Sequence, residues 1–179
     1  MKIAITGHTA GIGQALSKVF LSQGHEIVGL SRRIGKNIRN IAGACDLIEP
    51  CDMFVNNAQV GYAQSELLFE MARRWTGTKK HIIVISTMMT QTPTIPGLEM
   101  TAYRSQKVAL EEAVQQLRGQ RLKIKFTVIR PGDIATNPDK TVPPSADVDN
   151  WAQTLINLLD LAQANNLIIP DISLGPLKQ

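Results

Sequence analysis

Cysteine, histidine and aromatic side chains are all scarce in this chain of 179 residues. The two cysteines, Cys45 and Cys51, have five residues between them and no histidine cluster nearby. Zinc sites and redox pairs use tighter or repeated spacings, so both read as buried or idle thiols and no metal site is expected. His25 and His81 each open a strand-like run, and neither has a partner in the sequence that suggests catalysis or metal binding. Aromatics make up 4% of the chain, and no basic run is interleaved with them, so the pattern of a nucleic-acid surface is missing. No window approaches the roughly 18 consecutive apolar residues that a membrane-spanning helix needs. The opening "MKIAITGHTAGIG" enters a strand and a glycine turn at once, which leaves no place for a signal peptide and sets a cytoplasmic expectation.

What is present is an ordinary globular balance, with 44% apolar and 19% charged residues, enough for one well-buried domain over residues 1–179. The net charge of +4 suits an anionic cofactor. Strand-like runs fall at 2–6, 25–31, 52–58, 81–87, 122–130 and 166–173. Between them lie helical patterns at 12–22, where Ile12, Ala15, Leu16, Val19 and Phe20 share a stripe, and at 65–75, 101–118 and 147–163. The stretch 32–51 is ambiguous and holds at most a short helix and a short third strand. Alternation of this kind predicts an α/β, Rossmann-type, doubly wound parallel sheet with helices on both faces. The proline-rich stretch 136–147 reads as a surface loop over the site.

The glycines of "TGHTAGIG" sit where the first strand meets the first helix. Gly7, Gly11 and Gly13 permit a tight turn and a close backbone approach, and the helix N-terminus beyond them offers free N–H groups to a pyrophosphate. Many strand-to-helix turns use glycine for steric reasons alone, but this placement points to dinucleotide binding. An acidic residue just beyond the second strand would favour NAD. The chain instead carries Ser31-Arg32-Arg33, and a guanidinium fork matches a 2′-phosphate. NADP(H) is therefore the preferred cofactor, with NAD(H) possible. His8 adds a further donor inside the loop.

These residues and three further segments resemble the short-chain dehydrogenases/reductases. "TGHTAGIG" resembles their cofactor loop, "NNAQ" (56–59) their NNAG motif, "YRSQK" (103–107) their YxxxK motif, and "RPGDIAT" (130–136) their PGxxxT segment. The four motifs occur in the family's order from residue 6 to 136. The resemblance implies hydride transfer between a nicotinamide and a small carbonyl or alcohol substrate. It casts Tyr103 as acid/base, with Lys107 one helical turn on lowering the tyrosine pKa and bonding the nicotinamide ribose. It carries cofactor contacts onto Gly7, His8, Thr9, Gly11, Ile12, Gly13, Ser31, Arg32, Asn57, Ala58, Tyr103 and Lys107. At the nicotinamide end it adds Pro131, Gly132, Ile134 and Thr136. Asp46 and Leu47 would flank the adenine.

Several positions depart from the family pattern. Thr87, at the end of the strand over 81–87, falls where the family has its active serine, but counting the family's spacing back from Tyr103 reaches Thr90. Thr87, Ser86 and Thr90 all stand as candidates, and an insertion within "TMMTQTPTIPGLE" reconciles the two registers. Gln59 replaces the glycine of NNAG. Gln64 is the nearest counterpart of the family's helical asparagine. The shortened segment after the second strand implies that a helix is lost there. Trp75 and Trp151 read as packing or interface residues, and Met88, Met89 and Met100 as pocket lining or core. Family members pair through the helices at 65–75 and 101–118, so a homodimer or homotetramer is expected. The rival reading is a catalytically silent cofactor-binding sensor or scaffold with the same fold.

Overall fold

A computed structural model of the chain describes residues 1–93, 96–136 and 145–176. In chain order these form β1 (Lys2–Thr6), α1 (Gly11–Ser22), β2 (Glu26–Leu30), α2 (Ile41–Ile48), β3 (Met53–Asn56), α3 (Ala63–Arg74), β4 (His81–Ile85), α4 (Leu98–Gly119), β5 (Lys125–Pro131), β6 (Ile134–Ala135), β7 (Ala146–Asp147), α5 (Val148–Ala164) and β8 (Asp171–Leu174). Six strands make one parallel sheet in the order β2-β1-β3-β4-β5-β8, and β6 and β7 form a small parallel pair beside it. Strand residues are apolar on both sides because both faces are covered. Ala4, Phe54, Ile82 and Val84 point to the layer of α2, α3 and α4. Ile3, Ile5, Val55, Ile83 and Ile85 point to the layer of α1 and α5. This is the expected Rossmann-type architecture.

Local chemistry fixes the ends of these elements. The predicted stripe of α1 is buried from Ala15 on, and Gly24, at φ +79°, turns the chain out of the helix through a left-handed conformation. Asn40 caps α2 by accepting the Gly43 N–H at 3.2 Å, and Asp147 caps α5 by accepting the Asn150 N–H at 2.8 Å. α4 begins at Leu98, three residues earlier than the sequence pattern suggested, just after Gly97 at φ +89°.

The stretch 32–51 holds a single 3-10 turn, Arg32–Ile34, and the helix α2. The short third strand that the sequence allowed for is absent from it, and α2 alone crosses from β2 to β3. As a result β2 has β1 as its strand partner and forms the edge of the sheet. β3 stops at Asn56 because the amides of Asn57 and Ala58 both turn to the Thr6 hydroxyl, each at 2.9 Å, and leave the ladder. The expected loop over 136–147 lies largely outside the described residues. The chain leaves β1 for β2 on one side and returns to β3 on the other, so the crevice beyond the C-terminal ends of β1 and β3 is the topological switch point.

Candidate active site

The glycine turn opens directly onto that crevice. Gly7 adopts φ +73°, and its amide donates to the Leu30 carbonyl at 2.7 Å. A Cβ on Gly13 would lie 2.4 Å from the Gly7 carbonyl oxygen and 2.7 Å from Asn57 Nδ2, so only glycine fits there. The first atom of a side chain on Gly11 would meet Thr136 at 3.3 Å, which brings the "RPGDIAT" segment over the turn. Thr9 shares a 2.9 Å hydrogen bond with Ser31, tying the turn to the residue that follows β2.

A groove of about 240 Å³ runs along this edge, with Gly7, Thr9, Ser31 and Ala58 in its walls. Arg32, Arg33 and Lys36 line it too, and none of the three has a carboxylate partner among the described residues. Four expected contacts are placed elsewhere. The His8 ring lies over Gly29, whose missing side chain makes the room: a Cβ there would fall 2.3 Å from His8 Nε2. Ile12 packs into the core under α1 and α5. Asp46 turns outward to Arg74 at 2.7 Å, and Leu47 packs against the opposite core layer. Asn37 and Ile38 occupy the groove wall that Asp46 and Leu47 were expected to supply. The reason is that residues 41–48 are helical, so Asp46 faces α3 and solvent.

At the end of β3, Asn57 Nδ2 donates to the Thr6 carbonyl at 2.8 Å, and Gln59 bonds Gln106 on α4. α4 presents Tyr103 and Lys107 toward the C-terminal ends of β3 and β4. Tyr103 and Thr87 line one cavity wall; burial pushes the tyrosine pKa up, and the nearby Thr87 hydroxyl works against that. Lys107 is 2% exposed, and its Nζ donates to Gln64 Oε1 at 2.9 Å and to the Ile85 carbonyl at 2.8 Å. Burial brings its pKa down to about 7, with nearby Glu111 opposing the shift. Its Nζ lies 5.7 Å from the centroid of the Tyr103 ring. Gln64 is itself held by donating to the carbonyls of Asn56 at 2.7 Å and Ile85 at 3.1 Å. Gln64 therefore links the end of β3 to Lys107.

The three candidate hydroxyls have different partners. Ser86 donates to Glu111. Thr90 Oγ1 lies 2.8 Å from the Thr87 carbonyl and 2.9 Å from Glu111 Oε1. Thr87 is the one that meets Tyr103. Glu111 also accepts from Arg130 Nε at 3.0 Å and Nη2 at 2.8 Å, and Arg130 reaches Asp171 at 3.1 Å. The residues after Thr87 form a 3-10 turn, Met88–Gln91, within the segment where the spacing suggested an insertion. Arg104 clamps it by donating to the carbonyls of Met89 at 3.1 Å, Thr90 at 3.3 Å and Thr92 at 2.8 Å. Glu111, Arg104 and Lys36 were missed in the sequence. The signal for Glu111 was its place one turn beyond Lys107 on the same face.

A second cavity, about 700 Å³, opens beside Tyr103 and Thr87 and is floored by Pro131 and Gly132. A wider depression of about 910 Å³ lies at the opposite end of the sheet, by Lys79, Lys80 and Lys125. Its size does not make it the site, since no tyrosine–lysine–hydroxyl group faces it. Trp75 and Trp151 are buried packing residues whose indole N–H groups donate to the carbonyls of Glu49 at 3.2 Å and Leu174 at 2.9 Å. Both cysteines are buried, and burial pushes the Cys45 thiol up to about 11. Among the described residues no cluster of His, Cys, Asp or Glu is placed to hold a metal ion, and no helix is long and apolar enough to cross a membrane.

A glycine turn and a basic groove at the switch point of a six-stranded parallel sheet define a Rossmann-type dinucleotide-binding fold. Among solved structures, it is the fold of the short-chain dehydrogenases/reductases. An alcohol dehydrogenase from the archaeon Thermococcus sibiricus, complexed with 5-hydroxy-NADP, superposes with a TM-score of 0.76 at 17% identity, over 99% of this chain and 97% of its own. A short-chain dehydrogenase/reductase from Vibrio parahaemolyticus gives 0.78 at 16% identity, over 96% and 98%. The 3-alpha-hydroxysteroid dehydrogenase from Pseudomonas sp. B-0831, complexed with NADH, gives 0.69 at 19% identity, over 97% and 95%. No family model and no curated protein matches the sequence.

Proposed function

We propose that this chain is an NADP(H)-dependent oxidoreductase of the short-chain dehydrogenase/reductase type, reducing a carbonyl or oxidising an alcohol with Tyr103 as acid/base. The observation that carries the reading is the convergence of Tyr103, Thr87 and buried Lys107 at the switch-point crevice. The residues present fit the cofactor. A cradle that a Cβ on Gly13 would fill lies beside the basic groove. Gly7, Thr9, Gly11 and Gly13 would take the pyrophosphate, and Ser31 and Arg32, with Arg33 and Lys36, a 2′-phosphate. Asn57, Ala58, Lys107 and the segment from Pro131 and Gly132 to Ile134 and Thr136 would hold the nicotinamide half. When bound, that half supplies or takes up the hydride.

The chain's own residues manage the proton. Thr87 and Tyr103 bond the substrate oxygen, and Tyr103 gives it a proton in reduction or takes one in oxidation. A tyrosine titrating at about pH 10 is a poor acid–base group near neutrality, and Lys107, in its protonated form, would oppose the upward push of burial on it. Cofactor choice follows from the three cations lining the groove.

Fluorescence titration with NADPH and NADH tests the cofactor. NADPH should bind at least about tenfold tighter, and Arg32→Ala should erase most of that difference. Equal affinities in the wild type would overturn the preference. NADPH oxidation against a panel of ketones and aldehydes tests the chemistry. Tyr103→Phe should lower turnover by about 100-fold or more, and cofactor binding with no turnover of any carbonyl would favour the silent sensor.

A further inference from the structure

Resting on that reading of Tyr103 and Thr87, we propose that the cavity beside them takes uncharged, largely apolar carbonyl compounds and discriminates against those bearing a carboxylate or phosphate. At about 700 Å³ it is the size of a small-molecule site. Its walls carry three thioethers, from Met88, Met89 and Met100. Met88 is wedged at the closest approach of two backbone segments. Its sulfur lies 3.0 Å from where a Cβ on Gly132 would sit and 3.2 Å from one on Gly175. Thioethers are polarisable and flexible, so they fit aliphatic and aromatic groups alike without demanding one shape.

Charge supplies the discrimination. Apart from Tyr103, the one ionisable side chain among the described residues lining the cavity is Asp133, an acid. Arg104, Arg130 and Lys107, on the neighbouring elements, are already engaged. Arg104 donates to the carbonyls of Met89, Thr90 and Thr92. Arg130 pairs with Glu111 and Asp171, and Lys107 with Gln64 and the Ile85 carbonyl. An anion entering here would shed water, find no cation among the described residues lining the cavity, and meet the Asp133 carboxylate. The contrast with the basic groove is sharp, for there Arg32, Arg33 and Lys36 have no carboxylate partner among the described residues. Cations are gathered at one end of the crevice and thioethers at the other.

A matched pair of ketones tests this: methyl benzoylformate and benzoylformate, which share the reacting carbonyl and differ in charge. Binding is read by saturation-transfer NMR on the full chain with and without NADP+, using Tyr103→Phe so that no turnover intervenes. The ester should bind at least about tenfold tighter than the acid, and Asp133→Lys should narrow or reverse that ratio. Equal or tighter binding of the acid, or no binding of either, would overturn the proposal. NADPH oxidation by the wild type is the separate arm. An ester that binds with the expected preference but is not reduced upholds the cavity's selectivity and counts against the oxidoreductase reading.

Discussion

Lys107 and Glu111 sit one turn apart on α4, face the same end of the sheet and are both buried or nearly so, yet they are treated in opposite ways. Glu111 is surrounded by its complement: an arginine fork and the Ser86 and Thr90 hydroxyls. Lys107 has only neutral acceptors, one amide oxygen and one backbone carbonyl. The paired acid forms part of the frame. The unpaired base has its pKa brought down to about 7, where a small change in its surroundings moves a proton. Burial therefore does not distinguish the two groups, whereas the presence of a compensating charge does.

Removing each member of this pair should show the difference, and the largest effect belongs to the lysine. Lys107→Met should cut reduction by about 100-fold or more while changing unfolding free energy by only about 1 kcal/mol, because two lost hydrogen bonds are offset by the removal of a desolvated amine. Steady-state rates and urea melts read the two quantities. The wild type should also carry a pH signature. The lysine titrates at about 7 when folded against an ordinary 10.5, so between those values the unfolded chain holds a proton that the folded chain has released. Its stability should rise with pH across that window, by about 1 kcal/mol per unit, and flatten above it. Melts of Lys107→Met over the same range should lose that slope; an unchanged slope would mean that the lysine is charged and compensated like Glu111.

Glu111→Ala should invert the pattern. With side chains only 15% and 13% exposed, Glu111 and Arg130 form a largely buried pair, and removing the acid leaves the guanidinium dependent on Asp171. A loss of about 3 kcal/mol in urea melts is expected, with Glu111→Gln falling between. The smallest effects belong to Ser86→Ala and Thr90→Val, which should each stay within about threefold because these hydroxyls serve Glu111, against a loss of about 100-fold in kcat for Thr87→Val. If Thr90→Val proved as severe as Thr87→Val, the assignment of the reacting hydroxyl would fail.

Much of this was legible in the sequence because it depends on backbone geometry that only certain residues permit. Gly13 fits where no Cβ can, and the apolar runs of β3 and β4 need cover on both faces. Tyr103 and Lys107 were singled out by the YxxxK motif and its order among the other motifs, and helical spacing puts both on one face. Less legible were features set by side chains meeting across elements. Asp46 looked like an adenine contact, but α2 turns it toward Arg74. His8 looked like a loop donor, but Gly29, far off in sequence, offers its ring a seat. Gln64 was a weak candidate until its bonds to Asn56, Ile85 and Lys107 were in view. Thr87 could not be separated from Thr90 by counting, because the strand end points to one and the spacing back from Tyr103 to the other.

The Arg104 clamp has a mechanical consequence. Arg104 follows Tyr103 directly on α4, and its guanidinium grips the turn that begins at Thr87. The helix therefore carries its tyrosine and, through the neighbouring arginine, the turn that begins at the threonine beside it. Should α4 tilt as the crevice opens or shuts around a ligand, the two hydroxyls travel as a single rigid part, and the distance between them survives a motion that displaces both.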